Sequence, residues 1–434
     1  MPNKKAIYFF QSMSNSNYIR LNRAFDCLQG LSVGDAFGEK FFLHPDVAEN
    51  IIASRAIPAL PWYYTDDTQM ALSIYWVLRE YGEINQDELA KSFARRYDSE
   101  RGYGAGMQRL LLSISDGGKW QDLSSNSFAG QGSYGNGGAM RVAPLGAFFG
   151  DDLDLVVEQA VKSAEVTHAH PEGIAGTVAV AVAAAFACRF KESNHLPNKT
   201  EFLDSILPYI PQSEVASRVR RARDLKDDIS VNSAATILGN GTKVSAQDTV
   251  PFVLWCAAQN LDNYEEALWL TVSGLGDRDT TCAIAGGIVV LSAGVESIPD
   301  IWLSAREGLP NWINLNKEEL ERETIILYRP VGEKELVLIK QSGYKEFPPR
   351  LPEQPIFYPV LNQEYAIEIA RYWNAVNNNL GFVTKFEVKA EFLSNYSIKV
   401  VGASQHQEYW IPAEDLNKFN SNIVGLIEVI QEFS

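Results

Sequence analysis

Residues 174–188, with the sequence IAGTVAVAVAAAFAC, are apolar or small throughout. A helix of this composition has no polar face, so it must be enclosed either by a protein core or by a bilayer. The run is shorter than the roughly 20 residues that a helix needs to cross a bilayer. The sequence therefore predicts a buried central helix, and the rest of the fold must surround it.

The segments on either side of this run also have helical spacing of apolar residues. From about residue 18 to residue 328 the pattern is mostly helical, as in TDDTQMALSIYWVLREYG and TTCAIAGGIVVLSAG. Several segments are apolar on nearly every face, and small residues such as Gly286 and Gly287 would let neighbouring helices approach closely. These features predict a mainly α bundle.

The composition and the spacing of apolar residues change after about residue 329. A stretch rich in proline and aromatic residues comes first, and segments such as FVTKFEVKAEFL then alternate as strands do. We predict three parts: an N-terminal extension (1–17), a helical domain (18–328) and a smaller C-terminal α+β domain of unknown role (329–434).

Charge and cysteine content narrow the function classes. The formal net charge of −16 disfavours nonspecific binding to nucleic acid and to anionic membranes, because both would repel this surface. The four cysteines lie far apart, which is the pattern of neither a thiolate metal site nor a disulfide scaffold. We expect a cytoplasmic protein with no nucleic-acid or membrane partner.

Two predicted helices begin with more acidic residues than capping requires. One start lies in YYTDDTQMAL and the other in SGLGDRDTTC. One Asp or Thr is enough to cap a helix, and capping alone would explain either start. Taken together, the surplus carboxylates indicate a site for hard cations such as Mg²⁺ or Mn²⁺. The residues concerned are Thr65, Asp66, Asp67, Asp277, Asp279 and Thr280.

A glycine-rich loop lies between these two starts. It contains a literal GxGxxG at Gly130, Gly132 and Gly135, but no buried strand precedes it, which excludes the dinucleotide-binding motif. Exposed backbone N–H groups of such a loop suit phosphates, and an upstream aromatic residue could stack on a base or ribose. The candidates are Phe128, Gly132, Ser133, Tyr134, Gly135, Asn136 and Gly137.

In their order along the chain, these motifs resemble those of the ADP-ribosylglycohydrolase family. The resemblance covers roughly residues 18–328 and is carried by GLSVGDAFGE, YTDDTQMAL, GSYGNGGAMRVAPLG, THAHPEG and GDRDTTCAIAGG. It implies an orthogonal α-helical bundle with two Mg²⁺ or Mn²⁺ ions. It also implies cleavage of the bond between the ribose anomeric carbon and a protein side chain.

The resemblance also implies roles for individual residues. The two acidic clusters would be the metal ligands, the glycine loop would hold the diphosphate, and Phe128 would lie near the adenosine. His168 matches the family histidine that contacts the ribose. For the general acid or base we expect Glu39, with Asp279 as the second candidate.

Two positions depart from the family pattern. Glu39 directly follows Gly38, whereas the family glutamate comes four residues after that glycine, where this chain has Phe42. Arg278 replaces a small residue between the two acids of GDRDT. Its side chain either reaches a phosphate or an acid, or it faces solvent.

The leading hypothesis is therefore a hydrolase that releases ADP-ribose from ADP-ribosylated protein. A hypothesis from another class is that the chain binds and blocks an ADP-ribosyltransferase toxin through its aromatic N-terminal extension and its C-terminal domain, with hydrolysis secondary or absent. A third is a structural role, but that role gives no reason to keep both acidic clusters. The motifs leave open whether the scissile bond is to serine or to arginine.

Overall fold

The computed structural model describes residues 4–314, 324–351, 353–375, 380–393, 396, 398–401 and 406–433. The chain divides into two compact units, Met1–Ile313 (unit 1) and Asn314–Ser434 (unit 2). Unit 1 is built from helices, and unit 2 combines helices with small antiparallel sheets. The predicted fold class is confirmed. The assignment of residues 1–17, 18–328 and 329–434 as separate domains stays a prediction.

Unit 1 contains helices of very different lengths. They are α1 Lys4–Glu39, α2 Pro45–Ser54, α3 Asp66–Tyr81, α4 Gln86–Arg95, α5 Ala105–Ser115, α6 Trp120–Ser125, α7 Ser127–Gly130, α8 Gly137–Met140, α9 Ala143–Phe148, α10 Leu153–Glu165, α11 Pro171–Glu192, α12 Lys199–Ile206, α13 Glu214–Asp224, α14 Val231–Leu238, α15 Ala246–Gln259, α16 Tyr264–Val272, α17 Arg278–Ala293 and α18 Asp300–Ala305. Residues 4–17 of the predicted extension are part of α1, while the side chains of residues 1–16 lie outside the described structure.

The apolar run of residues 174–188 lies in α11. By length and composition α11 is the one helix of the described chain that could cross a membrane. However, 78% of its apolar window is buried within the protein. Its buried face is made largely of alanine and valine, which allows other helices to pack close to it on several sides. The prediction of a buried central helix is therefore confirmed.

Helices α1 and α17 pack against each other at unusually short range. A Cβ on Gly34 would lie 2.2 Å from the carbonyl oxygen of Cys282, and one on Gly38 would lie 2.1 Å from that of Arg278. One turn closer to the N-terminus of α1, a Cβ on Gly30 would lie 2.5 Å from the Gly286 carbonyl oxygen. The contacting residues recur every four positions on both helices and run in opposite directions, so the pair is antiparallel. This contact brings the end of α1 to the start of α17.

Unit 2 has its own aromatic core. The strands are β1 Thr324–Gly332, β2 Ile356–Phe357, β3 Gly381–Lys389, β4 Ile398–Val400, β5 Gln407–Tyr409, β6 Ile411–Pro412 and β7 Ile423–Phe433, and the helices are α19 Glu333–Gln341, α20 Gln363–Ile369, α21 Ala390–Leu393 and α22 Leu416–Ser421, with one π-helical turn at Ala370–Asn374. The main sheet has the order β1-β3-β7, and all its pairs are antiparallel. Phe347 packs on Phe386 with ring centroids 4.8 Å apart.

The glycine contact between α1 and α17 gives a first testable prediction. Gly34→Ala should lower the free energy of unfolding by about 1 to 3 kcal/mol, because its methyl group would overlap the backbone of α17. Gly106→Ala is the matched control, since a Cβ there meets open space within α5 and alanine favours helix. Urea denaturation measures both. Equal stability of the two variants would contradict the close packing.

Candidate active site

The loop before α3 is tied down by the backbone of the segment that follows α18. The Trp62 N–H donates to the Ala305 carbonyl oxygen, and the Glu307 N–H donates to the Trp62 carbonyl oxygen, both at 2.9 Å. Thr65 is the N-cap of α3, and its hydroxyl accepts a hydrogen bond from the Asp67 N–H at 3.4 Å. Thr65 thus meets the capping requirement, and Asp66 and Asp67 are left free for another role.

Asp35 of α1, which was not predicted as a site residue, organises this helix start. One of its carboxylate oxygens accepts hydrogen bonds from the N–H groups of Thr65 (2.9 Å) and Thr68 (3.0 Å). The hydroxyl groups of the same two threonines donate to its carboxylate at 2.8 and 2.5 Å. Asp35 is fully buried. It therefore caps α3 from a different helix and holds the Thr65-Asp66-Asp67 cluster in place.

The start of α17 is arranged differently. Asp277 is the N-cap residue, yet its side chain makes no capping hydrogen bond. Instead, its Oδ2 accepts a hydrogen bond of 2.7 Å from the Asn136 amide of the glycine loop. The Thr280 hydroxyl lies 3.4 Å from Asp67 Oδ2, which links the starts of α3 and α17 directly. Capping therefore does not account for Asp277, whereas Asp279 Oδ1 accepts a hydrogen bond of 2.8 Å from the Thr280 N–H in the first turn of α17.

The carboxylates of the two helix starts raise one another's pKa values. Burial, together with the charges of Asp35 and Asp277, raises the pKa of Asp66 to about 7. Burial and the neighbouring carboxylates also raise the pKa values of Asp67 and Asp279 well above the usual range. So much negative charge in one place is costly unless cations or protons offset it. The chain itself supplies one buried cation near Asp66, the guanidinium of Arg141.

The donor atoms at this place fit a hard cation. They are carboxylate and hydroxyl oxygens, which Mg²⁺ and Mn²⁺ prefer. Asp67 Oδ1 is buried and has no hydrogen-bond partner among the described residues, so it is available to a ligand. Among the described residues, no three acidic, histidine or cysteine side chains already converge on one point at metal-binding distance. The ligand assignments of both clusters, and the number of ions, stay predictions.

A cavity of about 960 Å³ lies against these acids. It is large enough for a nucleotide-sized ligand. The predicted site residues that line it are Asp66, Asp67, Phe128, Ser133, Tyr134, Gly135, Asn136, Gly137, His168, Asp277, Asp279 and Thr280. The structure therefore brings the two acidic helix starts, the glycine loop and His168 to a single cavity.

Three further predicted residues do not line the cavity. Thr65 and Gly132 are buried beside it, and a Cβ on Gly132 would lie 2.6 Å from the His170 nitrogen. Glu39 ends α1 with an exposed side chain. Partial desolvation and the carboxylates of Asp35 and Asp277 raise its pKa, which shows that it lies within electrostatic reach of the acids.

The glycine loop is held on both sides by backbone hydrogen bonds. The Ala246 N–H donates to the Tyr134 carbonyl oxygen at 3.0 Å, and the His170 N–H donates to the Ser133 oxygen at 3.3 Å. A Cβ on Gly137 would lie 2.8 Å from Cε1 of His168, so only glycine lets the imidazole pack there. The loop is therefore a fixed wall of the cavity.

Phe128 has a strained backbone at the cavity rim. Its φ of 53° lies in the left-handed region, which is unusual for a residue with a large side chain. The ring is 62% exposed, and its centroid is 6.3 Å from that of Tyr134. Strain of this kind persists where the surrounding structure enforces it, as at ligand sites. This placement is compatible with stacking on a ligand ring, which stays a prediction.

The two departures from the family pattern contact each other. The Arg278 guanidinium donates to the Phe41 carbonyl oxygen at 2.8 Å and lies over the Phe42 ring at 5.3 Å. Arg278 therefore fastens the turn that follows Glu39. Within the described structure it does not point freely into solvent, which was one of the two expectations for it.

Several other cavity residues were not anticipated from the sequence. They include Arg109, Thr167, Lys243 and Val244. Arg141 is fully buried next to the site and does not line the cavity. The available signal was a single charged residue in an apolar segment, as with Asp35 in LSVGDAFG and Arg141 in GAMRVAP.

Comparison with known proteins places the chain in a family. The family model described as ADP-ribosylglycohydrolase matches residues 16–331. The chain belongs to the ADP-ribosylglycohydrolase family. Among its relatives, human ADP-ribosylhydrolase ARH3 is 27% identical over 328 residues, which are 66% of this chain and 90% of that protein.

Two other relatives of this glycohydrolase family member come from microorganisms. An uncharacterized protein of Archaeoglobus fulgidus is 30% identical, and the match covers 70% of this chain and 95% of that protein. The ADP-ribosyl-[dinitrogen reductase] glycohydrolase of Rhodospirillum rubrum is 26% identical, over 65% of this chain and 90% of the relative. The resemblance noted in the motifs is confirmed.

The hydrogen bonds of Asp35 give a second prediction. Asp35→Asn should lower the free energy of unfolding by about 1 to 3 kcal/mol, because an amide cannot accept from all four donors of Thr65 and Thr68. Asp46→Asn, which changes an exposed carboxylate on α2, is the control and should have little effect. Chemical denaturation at pH 7 measures both; an unchanged Asp35 variant would contradict the capping role.

The buried imidazole gives a third prediction, for pH dependence. Burial and the nearby Arg141 lower the pKa of His168 to about 3, so as pH falls below about 6.5 the unfolded chain takes up a proton at this residue and the native state does not. The wild-type protein should thus lose about 1 to 2 kcal/mol between pH 7 and pH 5 that His168→Gln does not lose. Parallel stability curves would show that His168 is not buried in neutral form.

Proposed function

We propose that this glycohydrolase family member is a Mg²⁺-dependent enzyme that releases ADP-ribose from modified protein side chains. The observation that carries the proposal is the cavity itself, because it is lined by acids from two helix starts, by the glycine loop and by His168. The names of the relatives, an ADP-ribosylhydrolase and an ADP-ribosyl glycohydrolase, support the same reaction class.

Different residues of the cavity bind different parts of the ligand. Ser133 and Tyr134 present side-chain donors to the diphosphate, and Phe128 stacks at the adenosine end. The Gly135 N–H donates to the Ser133 hydroxyl oxygen at 3.2 Å and so orients that side chain. Asp279 lies in the acidic cluster, where a carboxylate can hold or pass a proton as the glycosidic bond breaks. Glu39, at the end of α1, is the other candidate for that proton transfer.

The oxygen donors at the starts of α3 and α17 would hold the ions. Thr65, Asp66 and Asp67 would contribute from one side, and Asp277, Asp279 and Thr280 from the other. Bound Mg²⁺ or Mn²⁺ would supply the positive charge that these carboxylates lack and would activate a water molecule. Asn136 fixes Asp277 through its hydrogen bond of 2.7 Å and thus orients one of the ligands.

The acceptor side chain is the finer part of the proposal. The names of the relatives do not state which side chain carries the ADP-ribose. The motif GSYGNGGAMR favours serine-linked or other O-linked ADP-ribose. Defined peptides carrying serine-linked or arginine-linked ADP-ribose distinguish the two, and faster release from the arginine peptide would overturn this choice.

The acidic residues give the fourth prediction. Asp66→Asn and Asp279→Asn should each reduce release of ADP-ribose from ADP-ribosylated protein by about 10²-fold or more, because each removes a charged group at the reacting end of the cavity. Wild-type activity should be lost on chelation and return with Mg²⁺. Asp300→Asn, an exposed acid at the start of α18, is the control and should retain activity. Full activity of both site variants would exclude the proposed mechanism.

A further inference from the structure

His168 lies just after α10 with its two ring nitrogens in different surroundings. A Cβ on Gly135 would lie 3.1 Å from Nε2, and one on Gly137 would lie 3.0 Å from it. Both glycines line the cavity, as His168 does. The Nε2 edge of the ring therefore borders the glycine loop at the cavity. The Nδ1 atom bonds to Thr167, which is almost fully buried.

Thr167 connects this imidazole to a buried arginine. Its hydroxyl oxygen is 2.7 Å from Nδ1 of His168 and also 2.7 Å from Nη2 of Arg141. A guanidinium has only donors, so the hydroxyl accepts from Arg141. The hydroxyl has one proton left to give, and His168 Nδ1 is the acceptor that the described structure offers it. When the hydroxyl gives this proton to Nδ1, Nδ1 is the unprotonated nitrogen of the ring.

We infer that Arg141 and Thr167 are positioning residues that fix His168 as the neutral tautomer with its proton on Nε2. In this form the ring presents an N–H donor to the cavity. Its partner is an oxygen that accepts a hydrogen bond, of the kind that ribose hydroxyl and phosphoryl groups carry. The identity of that ligand as ADP-ribose rests on the proposed function, whereas the tautomer does not.

The surroundings of Arg141 make the arrangement rigid. The guanidinium is fully buried, lies 4.4 Å from the centroid of the Phe93 ring, and donates from Nη2 to the Ser163 carbonyl oxygen at 3.1 Å. Such a group is held in one orientation, so the hydroxyl of Thr167 is held too. Burial and the charge of Arg141 lower the pKa of His168 to about 3, which agrees with a neutral ring that donates and does not take up a proton.

The tautomer can be measured directly in the ligand-free protein. The chain has five histidines, so selective ¹⁵N labelling gives few ring signals, and His168→Gln identifies the signal of His168. We expect the ¹⁵N shifts of His168 to report a protonated Nε2 and an unprotonated Nδ1, with no change between pH 8 and pH 6. A protonated Nδ1, or a ring that titrates near pH 6.5, overturns the inference.

Variants of Thr167 test the positioning role. Thr167→Val removes the hydroxyl at nearly constant shape and should give a mixture of tautomers and about tenfold weaker ADP-ribose binding by calorimetry. Thr167→Ser keeps the hydroxyl and should resemble the wild type in both measurements. If the valine variant keeps the wild-type tautomer and affinity, Thr167 does not position the ring.

A second pair of variants works even where Thr167→Val does not fold. In His168→Gln an amide nitrogen can take the place of Nε2, so binding of ADP-ribose should fall by less than about threefold. In His168→Asn the shorter side chain does not reach that place, and binding should fall about tenfold. Equal losses in both variants would count against an Nε2 donor.

Hydrolysis by the wild-type protein is measured in parallel, so that the two proposals fail separately. Absence of ADP-ribose release by the wild type would remove the proposed function and leave the tautomer result intact. Normal release together with a protonated Nδ1 would remove the present inference alone.

Discussion

The whole site depends on one close contact between two helices. Three glycines of α1 let its backbone meet the backbone of α17, where a single methyl group would overlap a carbonyl oxygen. Because no side chains separate the two helices, the acids near the end of α1 come within electrostatic reach of Asp277 and Asp279. Asp35, on the same stretch of α1, then receives the start of α3. One contact thus sets the positions of both acidic clusters.

This arrangement has an energetic cost, because it brings together carboxylates that repel one another in a partly buried region. An ordinary core would not contain them, since burial and mutual repulsion both favour their neutral forms. Aromatic packing holds the end of α1 and the loop before α3 in place: Phe37 stacks on Trp302 at 4.4 Å, and Trp62 contacts both rings. Arg141 adds one buried positive charge. Carboxylates with raised pKa values are common at functional sites, where they bind a cation or transfer a proton. The pKa values of Asp66, Asp67 and Asp279 are raised in this way.

Much of the fold and of the site could be read from residue patterns. Apolar residues at helical spacing gave the bundle, and a surplus of acids at two helix starts pointed to Asp66, Asp67, Asp277 and Asp279, which line one cavity. Asp35 was not found, because an aspartate in an apolar helix shows no partner until α3 is placed beside it. The roles of Thr167 and Arg141 were missed for the same reason, since the hydrogen bond between them joins residues 26 positions apart in the chain.

The sequence by itself determined the helical class, the buried character of α11 and the residue types that could hold a cation or a phosphate. These properties follow from local composition and spacing, which each segment carries alone. Only the tertiary structure decided that Glu39 ends outside the cavity wall, that Arg278 fastens the turn beside it, and that Thr167 links His168 to Arg141. Such pairings depend on how closely whole helices approach, and that distance is set by packing between segments far apart in the chain.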